Sequence, residues 1–571
     1  RTGSVQFGQS VLQQCQCLLD NRGPNFAGQL IYDDRVLMYG SVLWQQGAEI
    51  TRQPIETERF ALLFNGDLFI ERDNLAKSDT RWLLDRFESM ATNLDEFGEL
   101  FKQLKGPFSL VVLDKQLQRV YFARDSIGRN SLLLGQSDDG ILISSVIDNA
   151  CTMNIIELPP NGIYFINLYS NELNLLPWKQ NDNVEIDSLS INKNFLELPW
   201  FSIDHTQTSF NYHHILKDFV STGKDTFDHL LSNPIISNLC DHLLEVLAQS
   251  VRERILNTPN YCKQCIASQT ACRHPKVGIL FSGGIDCTII AVLADRFVPA
   301  DMPICLLNVA FEKIIRPGNP KSKKLIAGSE TAEIDWDVPD RITGRSTLNE
   351  LRQLKPHRKW HFVEINVTRK ELQNHKERIS NLVFPLKSVL DESLGAALWF
   401  ASRGQGSLND TEYKSACRVL LLGSGADELF GGYSRHRAAF YRDIKSKDAQ
   451  TSDSETESAF DNLQSELDLD WERLPSRNLA RDDRIIGDHG VTPRTPYLQE
   501  DFIAVVQSLK ASQRCYHPLG EGIGDKLTLR LCGYSLGLRL SARLRKRALQ
   551  FGSRIADRKQ NANDKSSFLV A

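Results

Sequence analysis

The sequence predicts two units of different class: an α+β domain built on antiparallel sheets with helices, followed by an α/β domain on a parallel sheet. Three observations carry this. The chain has 571 residues, room for several domains of about 100 to 200 residues each. From residue 28 to about 170, short apolar runs are separated by turn dipeptides, the pattern of antiparallel strands. From about residue 236, strand-like and helix-like segments alternate, which implies parallel strands joined by crossover helices.

Composition narrows the class without naming a reaction. Hydrophobic residues make up 41% and charged residues 24%, with Lys+Arg 67 against Asp+Glu 71, as in ordinary globular proteins. This balance calls for neither nucleic acid nor a membrane partner. No stretch approaches the run of about 18 apolar residues that spans a bilayer, and no secretory signal pattern opens the chain, so the reading is cytoplasmic. The 12 Cys are scattered, which suits free thiols in a reducing compartment.

In the first unit, residues 1–170, Phe60–Phe64, Ser109–Leu113 and Ile141–Ile143 read as strands between Asn-Gly, Asp-Lys and Asp-Gly turns. Residues 171–235 carry no sustained period around Pro177-Trp178, Asn181-Asp182-Asn183 and Pro199-Trp200, and read as a linker. In the second unit, 236–560, a helix is expected over Leu239–Arg254, a strand over Val277–Phe281, a helix over Thr288–Phe297 and a strand over Ile304–Phe311. Further strands are expected at Trp360–Val367 and Val419–Leu422. Between Lys447 and Arg473 lie nine acidic residues and no basic one. This stretch, 448–472, reads as a solvated insertion, mobile at its start.

Two glycine-rich strings carry the chemistry. Ser282-Gly283-Gly284-Ile285-Asp286-Cys287 follows a strand and opens a helix, so backbone N–H groups and the helix N-terminus can close around an anion. It has neither the Gly-Lys-Ser/Thr ending of a Walker loop nor a Gly-x-Gly-x-x-Gly dinucleotide fingerprint. The second string, Leu422-Gly423-Ser424-Gly425-Ala426-Asp427-Glu428-Leu429-Phe430-Gly431-Gly432-Tyr433, also ends an apolar strand. Its adjacent carboxylates suit a hard cation that bridges phosphate oxygens. A Gly-rich turn and an acidic first helical turn are the structural readings of the two strings.

The first string resembles the pyrophosphate loop of N-type ATP pyrophosphatases. Together the two strings resemble the asparagine synthetase domain, where both line one nucleotide site. Leu479–Arg484 and His489–Leu498 resemble further blocks of that family, with Thr492 where Glu is usual. The resemblance implies that Leu280, Ser282, Gly283, Gly284, Asp286, Cys287, Val309 and Gly423 bind ATP, and that Asp286, Asp427 and Glu428 hold Mg²⁺. Residues 541–560 carry seven basic side chains against Asp557 alone; most read as a basic face. The family also places a Lys against the α-phosphate, which implies a catalytic role for Lys546 or Arg547, just ahead of Gln550-Phe551.

In the first unit, Asn21-Arg22-Gly23-Pro24-Asn25, Phe64-Asn65-Gly66-Asp67-Leu68-Phe69, Ser78-Asp79-Thr80 and Ala123–Arg129 resemble, in order, four blocks of class II glutamine amidotransferases. That resemblance implies an Ntn-type fold in which Asn65 and Gly66 form an oxyanion hole and Asp79 binds the α-ammonium of glutamine. Asn65-Gly66 taken alone is equally a hairpin turn. The family nucleophile is an N-terminal Cys with its own amine as base. Arg1 cannot serve, and Cys15 and Cys17 sit in a helical stretch, so Met-Cys-Gly or a close variant is expected shortly upstream in the reading frame. The family's glutamine-binding Arg is unmatched, the text there being Gly40-Ser41-Val42-Leu43.

Cys287 replaces the family's Ser, and Ser424 replaces a Glu that many bacterial members carry as proposed base. These features resemble a divergent branch, the asparagine synthetase domain-containing proteins, as does Gln550-Phe551-Gly552-Ser553-Arg554-Ile555. The implied reaction is amidation of aspartate through a β-aspartyl-adenylate, releasing AMP and pyrophosphate, with ammonia from glutamine. The implied partners are the substrates aspartate and glutamine, with room for a homo-oligomer. Two alternatives stay open: an adenylating amide synthetase for another carboxylate, and a non-catalytic regulator that retains the fold. Cys262-x-x-Cys265 with Cys272 and His274 offers zinc-type ligands, but the second pair is not at finger spacing, and the segment reads as a Cys-containing loop. His357 and His361 read as surface and core residues.

Overall fold

The computed structural model describes residues 5–69, 77–89, 94–179, 186, 189–198, 210–216, 225–314, 334–444, 453–556, 561 and 563–569. The opening apolar periodicity forms a helix, Val5–Arg22, that buries Val11, Cys15 and Leu18. Beyond it lies a seven-stranded sheet in the order 189–191, 173–177, 162–167, 119–124, 108–114, 60–66, 55–56. Neighbours pair antiparallel except the first two, which run parallel.

Strand alternation gives this sheet two apolar faces. One face, with Phe60, Leu62, Leu110 and Tyr121, is covered by Leu83, Leu84, Phe87, Phe97 and Leu100 of the helices Asp79–Ser89 and Leu94–Gln103. The other, with Ala61, Leu113, Phe122 and Tyr164, packs against Met38 and Leu134. Those two residues belong to a hairpin, Phe26–Tyr32 with Val36–Val42, and to a three-stranded sheet of 133–137, 140–144 and 154–157. This is the α+β amidotransferase-type layering that the sequence predicts.

The second unit is α/β. Its sheet runs in the order 411–414, 405–408, 360–367, 304–311, 277–280, 419–421, 492–494, parallel across the five strands from 360–367 to 492–494. Ile304–Phe311 is buried at every position, as a strand must be when helices cover both faces. The adjacent strands Val277–Leu280 and Val419–Leu421 each end in one of the glycine-rich strings. Open parallel sheets bind ligands at such carboxyl ends.

Two expectations need correction. The segment 171–235, expected as a linker, contributes the strands Leu173–Pro177 and Leu189–Ile191 and the helices Tyr212–Leu216 and Thr226–Leu231. Trp178, Leu196 and Leu198 are buried in the first core and Tyr212, Phe227 and Leu230 in the second. These pieces are too short to establish a period. Asn181-Asp182-Asn183 and Pro199-Trp200 lie outside the described residues. The acidic stretch also differs from its reading: from 453 onward it is a helix, Asp453–Leu474, whose Ala459, Phe460, Leu463 and Leu467 enter the second core. Its acids are spread around the helix, Asp470 being buried against His436 and Arg435, and they mask the apolar period in the sequence. The start of the stretch, 448–452, lies outside the described residues.

Buried ion pairs join the two units. Arg494 grips Asp67 through two bonds, Nε to Oδ2 at 2.8 Å and Nη2 to Oδ1 at 2.7 Å, with both side chains essentially unexposed. Arg494 also donates to the carbonyl of Asn257 at 3.0 Å, and Gln46 donates to Asp67 Oδ1 at 2.9 Å. Arg129 donates to the Leu498 carbonyl at 2.6 Å and pairs with Glu500, and Arg22 pairs with Asp483 at 2.7 Å. The blocks Leu479–Arg484 and His489–Leu498 therefore serve largely as the seam with the first unit.

Removing one partner of such a pair strands a charge in low dielectric. Asp67→Ala should lower stability by about 3–5 kcal/mol, and adding Arg494→Met should restore part of it. Denaturant unfolding of the three chains checks this, with equal loss in single and double variants as the contrary result.

Candidate functional site

The phosphate-type loop owes its shape to two close approaches. Gly283 takes φ +81°, and a Cβ there would lie 2.7 Å from the Gly344 nitrogen, so only glycine lets this loop meet the helix Pro339–Leu354. Gly423 lies against Asp286, where a Cβ would come within 2.9 Å of the Asp286 Cβ. The helix Ile285–Ala294 starts at Gly284 without a side-chain cap, which leaves its first N–H groups directed at the loop. Thr347 Oγ1 donates to the Gly283 carbonyl at 2.9 Å, and Tyr497 OH to the Asp286 carbonyl at 2.9 Å.

Around this loop the charges converge. Lys526 Nζ lies 2.8 and 2.7 Å from the two Asp286 oxygens and 3.0 Å from Asp427 Oδ1. Lys546 Nζ bonds the other oxygen of Asp427. Burial alone would raise the Asp427 carboxyl, but Lys526 and then Lys546 outweigh it and hold it below the usual carboxylate range. Burial would lower the Lys546 ammonium, and Asp427 and Asp286 reverse this and raise it. Two lysines against two carboxylates leave the cluster electrically balanced.

The three carboxylates expected around one cation do not converge. Glu428 follows Asp427 on the helix Ala426–Phe430, and successive helical side chains diverge by about 100°. Its Oε1 accepts from Tyr433 OH at 2.8 Å, and burial, then Asp427, raises its carboxyl. Asp286 and Asp427 remain, two hard oxygen donors of the type Mg²⁺ takes, with the Lys526 ammonium at the point they share.

The other expected residues separate into groups. Ser282 and Gly284 shape the loop, the Ser282 hydroxyl accepting from the Gly284 N–H at 3.4 Å. Cys287 turns inward, its thiol donating to the Gly284 carbonyl at 3.2 Å and pushed up to about 11 by burial. Its sulfur also lies 3.9 Å from the Ser282 hydroxyl, so the side chain packs beneath the loop. Leu280 pairs with Leu307 in the sheet, which sets Val309 level with Ser282. Arg547 lies 3.6 Å from Asp340 and donates to Thr343 Oγ1 at 3.4 Å. Arg558 and Lys559 of the basic stretch lie outside the described residues.

Two residues were missed by the sequence reading. Lys526 is buried with φ 55° and ψ 33°, immediately before the helix Leu527–Ser535. A non-glycine residue held in the left-handed region is strained, and such strain gathers at functional sites. Asp340 is buried beside Gly552, Arg547 and Lys546, and burial pushes it up to about 7 against the pull of Arg547 and Lys546. Asn308 Nδ2 donates to the carbonyls of Phe281 at 2.8 Å and Asp340 at 3.0 Å, tying Asp340 to the loop. Neither residue belongs to a short motif; only the chain's return to the sheet brings them here.

In the first unit, Asn65, Gly66 and Asp79 line one cavity of about 910 Å³. Asn65 is the penultimate residue of the strand Phe60–Gly66, paired with Ser109, rather than a turn tip. Its Nδ2 is buried with no hydrogen-bond partner among the described residues, while its carbonyl accepts from Asn130 at 2.8 Å. Asp79 opens a helix, its Oδ2 accepting from the Leu68 N–H at 3.3 Å. The cavity continues to Thr492 and Pro493 of the second unit. Among the described residues, no helix is long and apolar enough to cross a membrane.

The layering, the paired glycine loops and the amide-lined cavity define a glutamine amidotransferase unit joined to an asparagine synthase unit. Family models agree: asparagine synthase matches residues 262–530 and a glutamine amidotransferase domain matches residues 2–171. An asparagine synthetase domain-containing protein of Drosophila melanogaster is 40% identical, with 98% of this chain and 97% of that one covered. The human asparagine synthetase domain-containing protein 1 is 35% identical, with 98% and 94% covered. A counterpart in Saccharomyces cerevisiae is 26% identical, with 96% and 89% covered. The chain belongs to the asparagine synthetase domain-containing protein family.

Proposed function

We propose that this protein is an ATP-dependent ligase that amidates aspartate to asparagine, with ammonia from glutamine and with AMP and pyrophosphate as products. The observation that carries this reading is the convergence of both glycine loops on the Asp286–Lys526–Asp427–Lys546 cluster. A loop of Ser282-Gly283-Gly284 with uncapped helix N–H groups suits the β and γ phosphates. Held there, pyrophosphate is the leaving group, and the α-phosphate is left open to the aspartate carboxylate. Asp286 and Asp427 would hold Mg²⁺, which supplies charge neutralisation at the phosphates. Lys546 and Arg547 stabilise charge on the α-phosphate in the transition state.

Ammonia must lose a proton after it attacks. Ser424 carries no carboxylate for this, and Asp340, buried and raised to about 7, is suited to a general base at neutral pH. In the first unit, the unpartnered Asn65 amide suits an oxyanion and Asp79 suits the glutamine ammonium. The cavity that reaches Thr492 and Pro493 gives released ammonia a course toward the second unit. Ser424 also favours a second reading, an amide synthetase for a carboxylate other than aspartate.

Calorimetry on the full chain tests the nucleotide site. Asp286→Ala and Asp427→Ala should each weaken Mg²⁺-dependent ATP binding by at least about tenfold, because each removes an oxygen donor from the cation. Unchanged affinity in both would remove the assignment.

The pH–rate profile with saturating ammonia tests Asp340. As the base must be ionised, the rate should rise with pH through about 7 and level above it. Asp340→Asn should lose that limb and about 10²–10⁴ in kcat, and a variant with the parent profile excludes the role.

Product analysis tests the reaction. With aspartate and ammonia supplied, asparagine, AMP and pyrophosphate should accumulate together, with no ADP. Lys546→Ala with Arg547→Ala should depress kcat by about 10²-fold with a smaller change in aspartate binding. Asn65→Ala should depress glutamine-driven but not ammonia-driven turnover by about 10²–10³-fold. Pyrophosphate without asparagine favours another acceptor, and ATP binding without pyrophosphate from any carboxylate favours a regulator.

A further inference from the structure

The 20-residue interval between the helix Pro234–Leu256 and the strand Val277–Leu280 takes no part in the chemistry above, yet it is organised around four soft donors. Cys262 and Cys265 lie on one tight turn, with the N–H groups of Cys265 and Ile266 donating to the Cys262 carbonyl at 3.2 and 3.1 Å. The chain then loops back, the Thr270 N–H donating to the Cys265 carbonyl at 3.2 Å, and delivers Cys272 and His274 to the same point. The ligand atoms of Cys262, Cys265, Cys272 and His274 all lie within 4.8 Å of one another. His274 Nδ1 is 3.4 Å from Cys262 Sγ and 3.5 Å from Cys265 Sγ.

Those separations have a simple meaning. With Zn–S about 2.3 Å and Zn–N about 2.0–2.1 Å, the S···N edge of a tetrahedral zinc site is about 3.5 Å. An ordinary satisfied His would turn its nitrogens to oxygen partners or water; here one nitrogen faces two sulfurs. The alternative use of paired thiols, a disulfide, is not made, since all four sulfur-or-nitrogen donors stand apart and the three cysteines are free. The set is also closed, with three sulfurs and one imidazole and no position left for water, which is the pattern of structural rather than catalytic zinc. Thiolate and imidazole donors discriminate against Mg²⁺ and Ca²⁺, which prefer oxygen.

We propose that Cys262, Cys265, Cys272 and His274 form a structural Zn²⁺ site of the Cys₃His type. Binding displaces three thiol protons to solvent and forms three Zn–S bonds and one Zn–N bond, with no change of oxidation state. Its position says what it braces. The Lys263 N–H donates to the Ala416 carbonyl at 2.9 Å, just ahead of the strand Val419–Leu421, and Lys263 Nζ bonds the His489 carbonyl. Tyr261 packs its ring 6.1 Å from that of Trp44 in the first unit. Zinc here fixes the entry to the strand that feeds the Ser282 loop, on the side of the sheet away from the nucleotide, and steadies the contact between the two units. The spacing, Cys-x₂-Cys-x₆-Cys-x-His, departs from finger spacing because the ligands sit on one loop, not on a hairpin and a helix.

The test is metal analysis of the full, untagged chain purified without chelator. About one equivalent of zinc per chain is expected, falling below about one tenth in Cys265→Ser with Cys272→Ser. Cobalt(II) exchanged into the parent should give the charge-transfer and ligand-field absorption of tetrahedral thiolate coordination. Because ligand loss can unfold a chain, His274→Cys is the second arm: it keeps four ligands and should retain the metal while altering the cobalt spectrum. Cys17→Ser, at an exposed thiol outside the cluster, should change nothing. Zinc that survives loss of both cysteines overturns the proposal, as does a folded parent that takes up neither zinc nor cobalt, or a disulfide among the three cysteines in the purified chain.

Discussion

The pairing on which the second unit's site depends is that of Lys526 with Asp286 and Asp427. Two carboxylates at the ends of neighbouring strands repel one another in low dielectric, and burial raises the cost. One ammonium between them reverses the sign. It fastens the start of the helix Ile285–Ala294 to that of the helix Ala426–Phe430 and so fixes the distance between the two glycine loops. Gly423, pressed on Asp286, is the steric half of the same constraint. The strained backbone of Lys526 is the cost of aiming that ammonium.

The same logic, repeated at larger scale, joins the units. Asp67 and Arg494, Arg129 and Glu500, Arg22 and Asp483 are charges made tolerable only by each other. Such pairs add little net stability over an apolar contact but tolerate few misalignments, which suits a seam that must hold two sites in register. The cavity beneath Asn65 reaches that seam at Thr492 and Pro493, and Asp67, which lines it, is the residue Arg494 holds. The residues resembling further blocks of a synthetase thus also line the first unit's cavity.

Much of this was legible in the chain. Ile304–Phe311 could be bounded from apolar text, because a strand covered on both faces is a nearly continuous apolar run. Trp360–Val367 could be bounded from apolar residues interrupted by the less buried His361, Glu364 and Asn366. Ser282–Cys287 could be placed at a strand-to-helix turn because glycines there serve backbone geometry, which is local. The segment 171–235 and the helix Asp453–Leu474 were misread for a shared reason. Their apolar residues are sparse, and what orders them is the surface they land on. Trp178 and Phe460 mean little until that surface exists.

The sequence by itself determined the order of elements, the two fold classes and the two loops that a phosphate could occupy, since periodicity, glycine and helix termini act over a few residues. Only the tertiary structure decided which charges meet. It sent Glu428 to Tyr433, turned the Cys287 thiol inward, brought Lys526 and Asp340 to the loop from 240 and 54 residues away along the chain from Asp286, and gathered Cys262, Cys265, Cys272 and His274 to one point. Electrostatic and ligand contacts depend on distances in space, and a pattern along a chain encodes those only where the intervening path is short or regular.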